Sequence, residues 1–145
     1  MEASARRILV VANRTAATPT LLDEVKRRAQ HELASFSLLI PDAPSKEHAD
    51  WTLELALPLL ERAAGSPVQG LTAEGDDVMH AIRSVVEGGE FDEIIISTLP
   101  KRVSRWLRRD LPSQAKQLGL PVTVVTSPEL ERRLGEGVLP PAGIR

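Results

Sequence analysis

Five short apolar runs, separated by segments whose apolar residues recur at helical spacing, leave this chain few architectures. The first run, Ile8-Leu9-Val10-Val11-Ala12, is continuous and rich in β-branched residues. A strand wet on one face would alternate, whereas a continuous run suits a strand covered on both faces. Residues 37–40, 68–73, 91–97 and 122–126 read as four further strands. Between the first two, Pro19 or Thr20 opens a helix with Leu21, Leu22, Val25, Ala29 and Leu33 on one stripe. Trp51, Leu55, Leu59 and Ala63 mark a second helix, which Pro58 must kink or divide. Gly75-Asp76-Asp77 caps a third, with the stripe Val78, Met79, Ile82, Val85 and Val86, and Gly88-Gly89 ends it. Five strands alternate with about four helices. The pattern predicts an α/β fold: a single open, mainly parallel five-stranded sheet of Rossmann type with helices on both faces and right-handed crossovers. Residues 1–127 form this domain, and residues 128–145 read as a short helix with a tail rich in Gly and Pro.

A chain of 145 residues has room for one domain and one core. The formal net charge is -2, so bulk electrostatics give no affinity for nucleic acid and any basic site must be local. The absence of cysteine excludes disulfides, thiolate catalysis and cysteine-based zinc sites. The run at residues 8–12 is too short for a signal peptide or a membrane span. The expectation is a soluble cytoplasmic protein with no membrane partner.

Three stretches, "ILVVAN", "EGDDVMHAIRSVVEGGEFDEIIIS" and "LGLPVTVVTSP", in this order and spacing resemble the universal stress protein family, over roughly residues 7–127. The resemblance implies an open parallel sheet with central first and fourth strands, and often a dimer through the last strand. That makes Val122, Thr123, Val124 and Val125 the candidate dimer interface. It also implies ATP binding in many members, through glycines after the fourth strand that let backbone N–H groups approach the phosphates. Here this sequence departs from the family. Ser97-Thr98-Leu99-Pro100 stands where the first glycine pair belongs, and Pro100 removes an N–H donor. No glycine lies near Arg108-Arg109-Asp110, and Asn13 replaces the usual aspartate after the first strand. ATP remains possible, but no cofactor is implied by the motif.

The segment after the fourth strand is basic. On a helical wheel Lys101, Arg102, Arg105, Arg108 and Arg109 share an arc of about 120°, opposite Val103, Trp106, Leu107 and Leu111. Asp110 suits the N-cap of a further helix over residues 111–118, with Pro112 in its first turn. The basic arc reads either as a solvated face balanced by acids such as Glu90, Asp92 and Glu93, or as an anion site. Arginine grips phosphate bidentately without needing glycine. The candidate anion or nucleotide ligands are Asn13, Arg14, Ser97, Thr98, Arg102 and Arg105. Asp76, Asp77 and His80 fit helix capping better than a metal site. Ser45 and Ser104 lack a nucleophile elbow, and no Walker loop or dinucleotide fingerprint is present.

Together these features point to a non-enzymatic, stress-related or regulatory module, with no catalytic and no metal residues. It is expected to be a homodimer, with a protein partner possible, that does not bind ATP in the usual family manner. The alternative is a binder of a nucleotide or other phosphate ligand through the basic residues after the fourth strand.

Overall fold

The structure, a computed structural model, describes residues 5–73, 77–100 and 104–128. Lys101, Arg102, Val103, Glu74, Gly75, Asp76 and the C-terminal short helix and tail from residue 129 lie outside the described residues. Strands β1 (Arg6–Val11), β2 (Ala34–Ile40), β3 (Gln69–Thr72), β4 (Glu93–Thr98) and β5 (Val122–Thr126) form one sheet in the order β3-β2-β1-β4-β5. Every pairing is parallel. Among the described residues four helices longer than one turn cover it: α1 (Pro19–His31), α2 (Lys46–Ala64), α3 (Val78–Gly88) and α5 (Leu111–Lys116), with the single turn α4 (Arg105–Arg108) before the last.

The two periods of the strands divide the interior into two cores. Ile8, Val10, Leu38, Ile40 and Ile95 point to the α1/α2 side, where Leu21, Val25 and Leu60 meet them. Leu9, Val11, Leu39, Ile94 and Ile96 point to the other side, against Ile82, Leu111 and Ala115. Every residue of β4 is buried, so a run without alternation is what two covered faces require.

Caps fix where the helices start. Thr18 Oγ1 accepts from the Leu21 N–H with Pro19 in the first turn, Ser45 Oγ from His48 N–H, and Asp77 Oδ1 from His80 N–H. Helix α1 stops at His31, and Glu32 is extended. Leu33 therefore does not continue the α1 stripe as its spacing predicts; it is 64% exposed.

Helix α2 departs further from its expected pattern. It is unbroken through Pro58. The proline costs one hydrogen bond, the one an N–H there would give to the Glu54 carbonyl. Its sheet-facing side is Ala49, Ala56 and Leu60 with Leu53 and Leu57, not the stripe of Trp51, Leu55 and Leu59, which faces outward. Gly70 of β3 lies against this face: a Cβ there would stand 3.0 Å from both Leu53 Cδ2 and Leu57 Cδ1, so a larger residue would make these leucine ends give by a few tenths of an ångström.

The amphipathic reading of the basic segment holds where it is described. Arg105, Arg108 and Arg109 are exposed, Trp106 and Leu107 half-buried, and Leu111 buried. The chain breaks at Asp110 before a further helix, as expected, but the cap differs. Asp110 has a left-handed backbone (φ 59°) and caps nothing with its side chain. Aspartate is among the few residues that tolerate this conformation, and it makes the chain turn between α4 and α5. The Gln114 side-chain amide then donates to the Arg109 carbonyl at 2.9 Å.

The acids expected to balance the basic face lie elsewhere. Asp92 Oδ2 accepts from the Arg7 N–H at 2.8 Å, and Glu90 pairs with the Arg7 guanidinium. Glu93 is enclosed at the amino end of β4. Arg6 Nε donates to its Oε1 at 2.9 Å, while Arg28 Nη1 lies 2.6 Å from Oε2. The Thr123 hydroxyl of β5 donates to the same Oε2 at 3.1 Å and accepts from Arg28 Nη2 at 3.0 Å. This knot joins β1, β4, β5 and α1.

Candidate functional site

At the carboxyl end of the sheet β1 leads away toward β2 on one side, while β4 leads toward β5 on the other. Their diverging crossovers leave a crevice above the ends of these two strands, the position at which open α/β sheets take ligands. A cleft of about 310 Å³ fills it. Asn13, Arg14 and Thr15 after β1, Asp42 after β2, Ser97 and Thr98 at the end of β4, and Arg105 and Trp106 of α4 line the cleft. Five of the six sequence candidates, Asn13, Arg14, Ser97, Thr98 and Arg105, thus come together. The sixth, Arg102, lies outside the described residues.

Their roles differ from what their types suggest. Ser97 is fully buried, and its Oγ lies 2.6 Å from Thr15 Oγ1. Thr98 Oγ1 lies 2.6 Å from Ser104 Oγ, which in turn accepts from the Leu107 N–H to cap α4. Thr18 Oγ1 is 2.8 Å from Ser127 Oγ, and the Ser127 N–H donates to the Thr98 carbonyl. Thr15, Ser97, Thr98 and Ser104 form the floor of the cleft, and the Thr18–Ser127 pair lies outside its lining. Together they hold the loop after β1, the start of α4 and the end of β5 to β4 and to one another. Asn13 Nδ2 donates to the Pro41 and Asp42 carbonyls at 3.3 and 3.4 Å, which steadies Asp42 in its left-handed conformation (φ 57°).

The charged groups stand at the rim. Arg105 Nη2 lies 3.3 Å from Asp42 Oδ2, across the cleft from the β1 loop. Arg14 is exposed and makes no ion pair among the described residues. The described lining therefore carries two guanidinium groups and one carboxylate, so an anion entering meets a net positive rim. Asp42 and Arg105 also border a second cleft on the far side, with Asp77, Met79, Trp106 and Arg109, so their ion pair is a partition between two hollows.

Sequence reasoning did not single out Asp42, Ser104 or Trp106 for the site. Ser104 carried a readable signal, a serine three residues before Leu107 at the start of an amphipathic turn. Asp42 carried none, because its partner Arg105 is 63 positions away.

No protein-family model matches the chain, and no curated protein matches it by sequence. Solved structures do match it in fold. A universal stress protein crystallised in complex with cAMP superposes with a TM-score of 0.61 over 86% of this chain and 98% of that one, at 14% identity. The universal stress protein from Archaeoglobus fulgidus in complex with dAMP gives 0.57 over 85% and 98%, at 14% identity. Another structure of universal stress protein from Archaeoglobus fulgidus gives 0.60 over 83% and 93%, at 15% identity. The chain has the universal stress protein fold, as its sequence pieces imply.

Proposed function

We propose that this chain is a non-enzymatic binding module of stress-related or regulatory type, and that its ligand is a small phosphorylated molecule of nucleotide size. The observation that carries this reading is the convergence of Asn13, Arg14, Thr98 and Arg105 on one cleft above the ends of β1 and β4. A volume of about 310 Å³ is that of a small-ligand site. Two proteins of this fold were crystallised with cAMP and dAMP, which supports a nucleotide as the first ligand to try. Recognition here rests on guanidinium side chains. The glycine-rich phosphate loop is absent, with Leu99-Pro100 in its place. A role without catalysis is supported by the partners of the cleft hydroxyls: Ser97 and Thr98 face Thr15 and Ser104, which are other hydroxyls and not bases.

Calorimetric titration of AMP, ATP and inorganic phosphate at low and high salt tests the reading. Saturable binding that weakens with salt is expected. Arg14→Ala should reduce affinity about tenfold, a modest value because an exposed guanidinium keeps much of its hydration. No heat at millimolar ligand would remove the proposal. Asp42→Asn should act in the opposite direction. It deletes the carboxylate that holds Arg105 and repels an anion, and should tighten AMP binding about threefold by the same titration.

A homodimer through β5 is the second element of the proposal. Among the described residues the strand is an edge, and Val124 faces outward at 39% exposure. Val125 belongs to the core and Thr123 to the Glu93 knot, so of the four candidate residues Val124 supplies the clearest apolar contact. An uncovered edge strand invites pairing with another strand. Val124→Lys is expected to raise the dimer dissociation constant about tenfold in sedimentation equilibrium, because charge on an edge opposes strand pairing.

A further inference from the structure

The cleft opens sideways into a second hollow that the phosphate reading leaves unused. This groove, of about 470 Å³, runs between the loop after β1 and the outer face of α2. Asn13, Arg14 and Leu99 border both spaces, so the groove continues the cleft. Its walls change character along its length. At the cleft end stands Arg14; beyond it come Ala16, Ala17, Trp51, Leu55 and Ala56, with the His48 imidazole beside Trp51. The one hydroxyl there, of Thr52, donates to the His48 carbonyl of its own helix at 3.0 Å and offers no hydrogen to a guest.

Two large apolar side chains of its lining are open to water, while Ala16, Ala56 and Leu99 beneath them are buried. Trp51 is 57% and Leu55 51% exposed, and with Leu59 they follow one another at intervals of four along α2. Large apolar side chains gathered in a concavity mark a binding surface more often than singly scattered ones do. The hollow is concave and ends at an arginine without an ion-pair partner among the described residues, and both features fit a small amphiphile.

We infer that the ligand is a soluble phosphate monoester with an apolar organic part: its phosphoryl group sits in the cleft at Arg14 and Arg105, and its hydrocarbon or aromatic part lies in the groove against Trp51 and Leu55. This rests on the phosphate reading of the cleft and adds the class of ligand. A purely polar phosphate fills one hollow only. A ligand that fills both removes the exposed Trp51 and Leu55 surface from water.

The test is calorimetric titration of the full chain with inorganic phosphate, octyl phosphate below its micelle concentration, and octanol. Octyl phosphate is expected to bind at least about tenfold more tightly than inorganic phosphate, since even partial burial of an eight-carbon tail supplies that factor. On Leu55→Asp or Trp51→Ala, both at exposed positions, the ratio of the two affinities should fall toward one. Equal affinities in the unaltered chain overturn the groove assignment. They leave the cleft reading standing if Arg14→Ala weakens phosphate binding about tenfold. Octanol binding as tightly as octyl phosphate overturns the coupling of head to tail. Silence from inorganic phosphate, AMP and octyl phosphate alike ends both readings. Binding to phosphatidylcholine vesicles containing phosphatidic acid, without binding to monomeric octyl phosphate, overturns the soluble ligand in favour of a membrane headgroup.

Discussion

Glu93→Ala is expected to lower the unfolding free energy by about 3 kcal/mol, the lower end of what removal of one partner from a buried ion pair costs. The loss comes from what is left behind. Arg28 stays enclosed with one carboxylate, Glu24, in place of two, and the Thr123 hydroxyl loses its acceptor. Arg6 is partly open to solvent and can rehydrate, which keeps the figure from being larger. Urea denaturation of the two proteins gives the difference directly. A change below about 0.5 kcal/mol, typical of a surface substitution, would show that water already screens this knot.

The same carboxylate makes stability depend on pH. Burial alone would raise the Glu93 carboxyl. The hydrogen bonds from Arg6 and Arg28, the charge of Arg28 and the Thr123 hydroxyl outweigh burial, and hold the group below its ordinary range. Glu24 is lowered likewise: burial opposes, and Arg27 and Arg28 prevail. A carboxyl lowered by folding binds fewer protons in the folded chain than in the unfolded one. Its contribution is complete above the unfolded value, about 4.3, and is lost as pH falls through the lower folded value. Denaturation midpoints measured from neutral pH down to pH 3 should fall steeply through the acid range, and less steeply for Glu93→Gln.

The second large effect is expected at Ser97, and it separates a floor from a ligand. Ser97→Ala should cost about 2 kcal/mol of stability, because the buried Thr15 hydroxyl 2.6 Å away loses its partner. Thr15→Val should cost a similar amount. The double variant should cost less than the sum, by about 1 kcal/mol, since removing both hydroxyls leaves no polar group unsatisfied. Thermal or urea unfolding of the four proteins closes the cycle. Were Ser97 a direct phosphate contact, the single change would instead spare stability and reduce affinity.

The difference between what could and could not be read in advance comes from distance along the chain. The strands were legible because burial on two faces writes itself into consecutive residues, as in Ile94-Ile95-Ile96. The cap at Asp77 was legible because a cap and the N–H that donates to it are three residues apart. The inner face of α2 was not, because the helix carries two apolar stripes and its own sequence does not say which one meets the sheet. The commitment of Ser97 and Thr98 was hidden for a similar reason. A serine at a strand end looks available until Thr15, 82 positions earlier, is seen to occupy it. The same holds for Glu93, whose partner Arg6 is 87 positions away. The family-like stretches pointed to the fold, while the missing glycines left the ligand to be argued from side chains.

The placement of β1 in the middle of the sheet has a consequence for how the chain acquires its shape. Residues 6–72 can assemble β3, β2 and β1 with α1 and α2 as soon as they are made, because each pairing joins neighbours in sequence. β1 then waits with one edge bare until β4 arrives, for its partner register begins at Glu93. Only then can Arg6 reach Glu93, and Ser127 must arrive before the loop ahead of α1 is tied down. Closure of such long loops is slow, and an unpaired central strand is open to the wrong neighbour while it waits. In chain order, β4 is the segment that closes the second edge of β1.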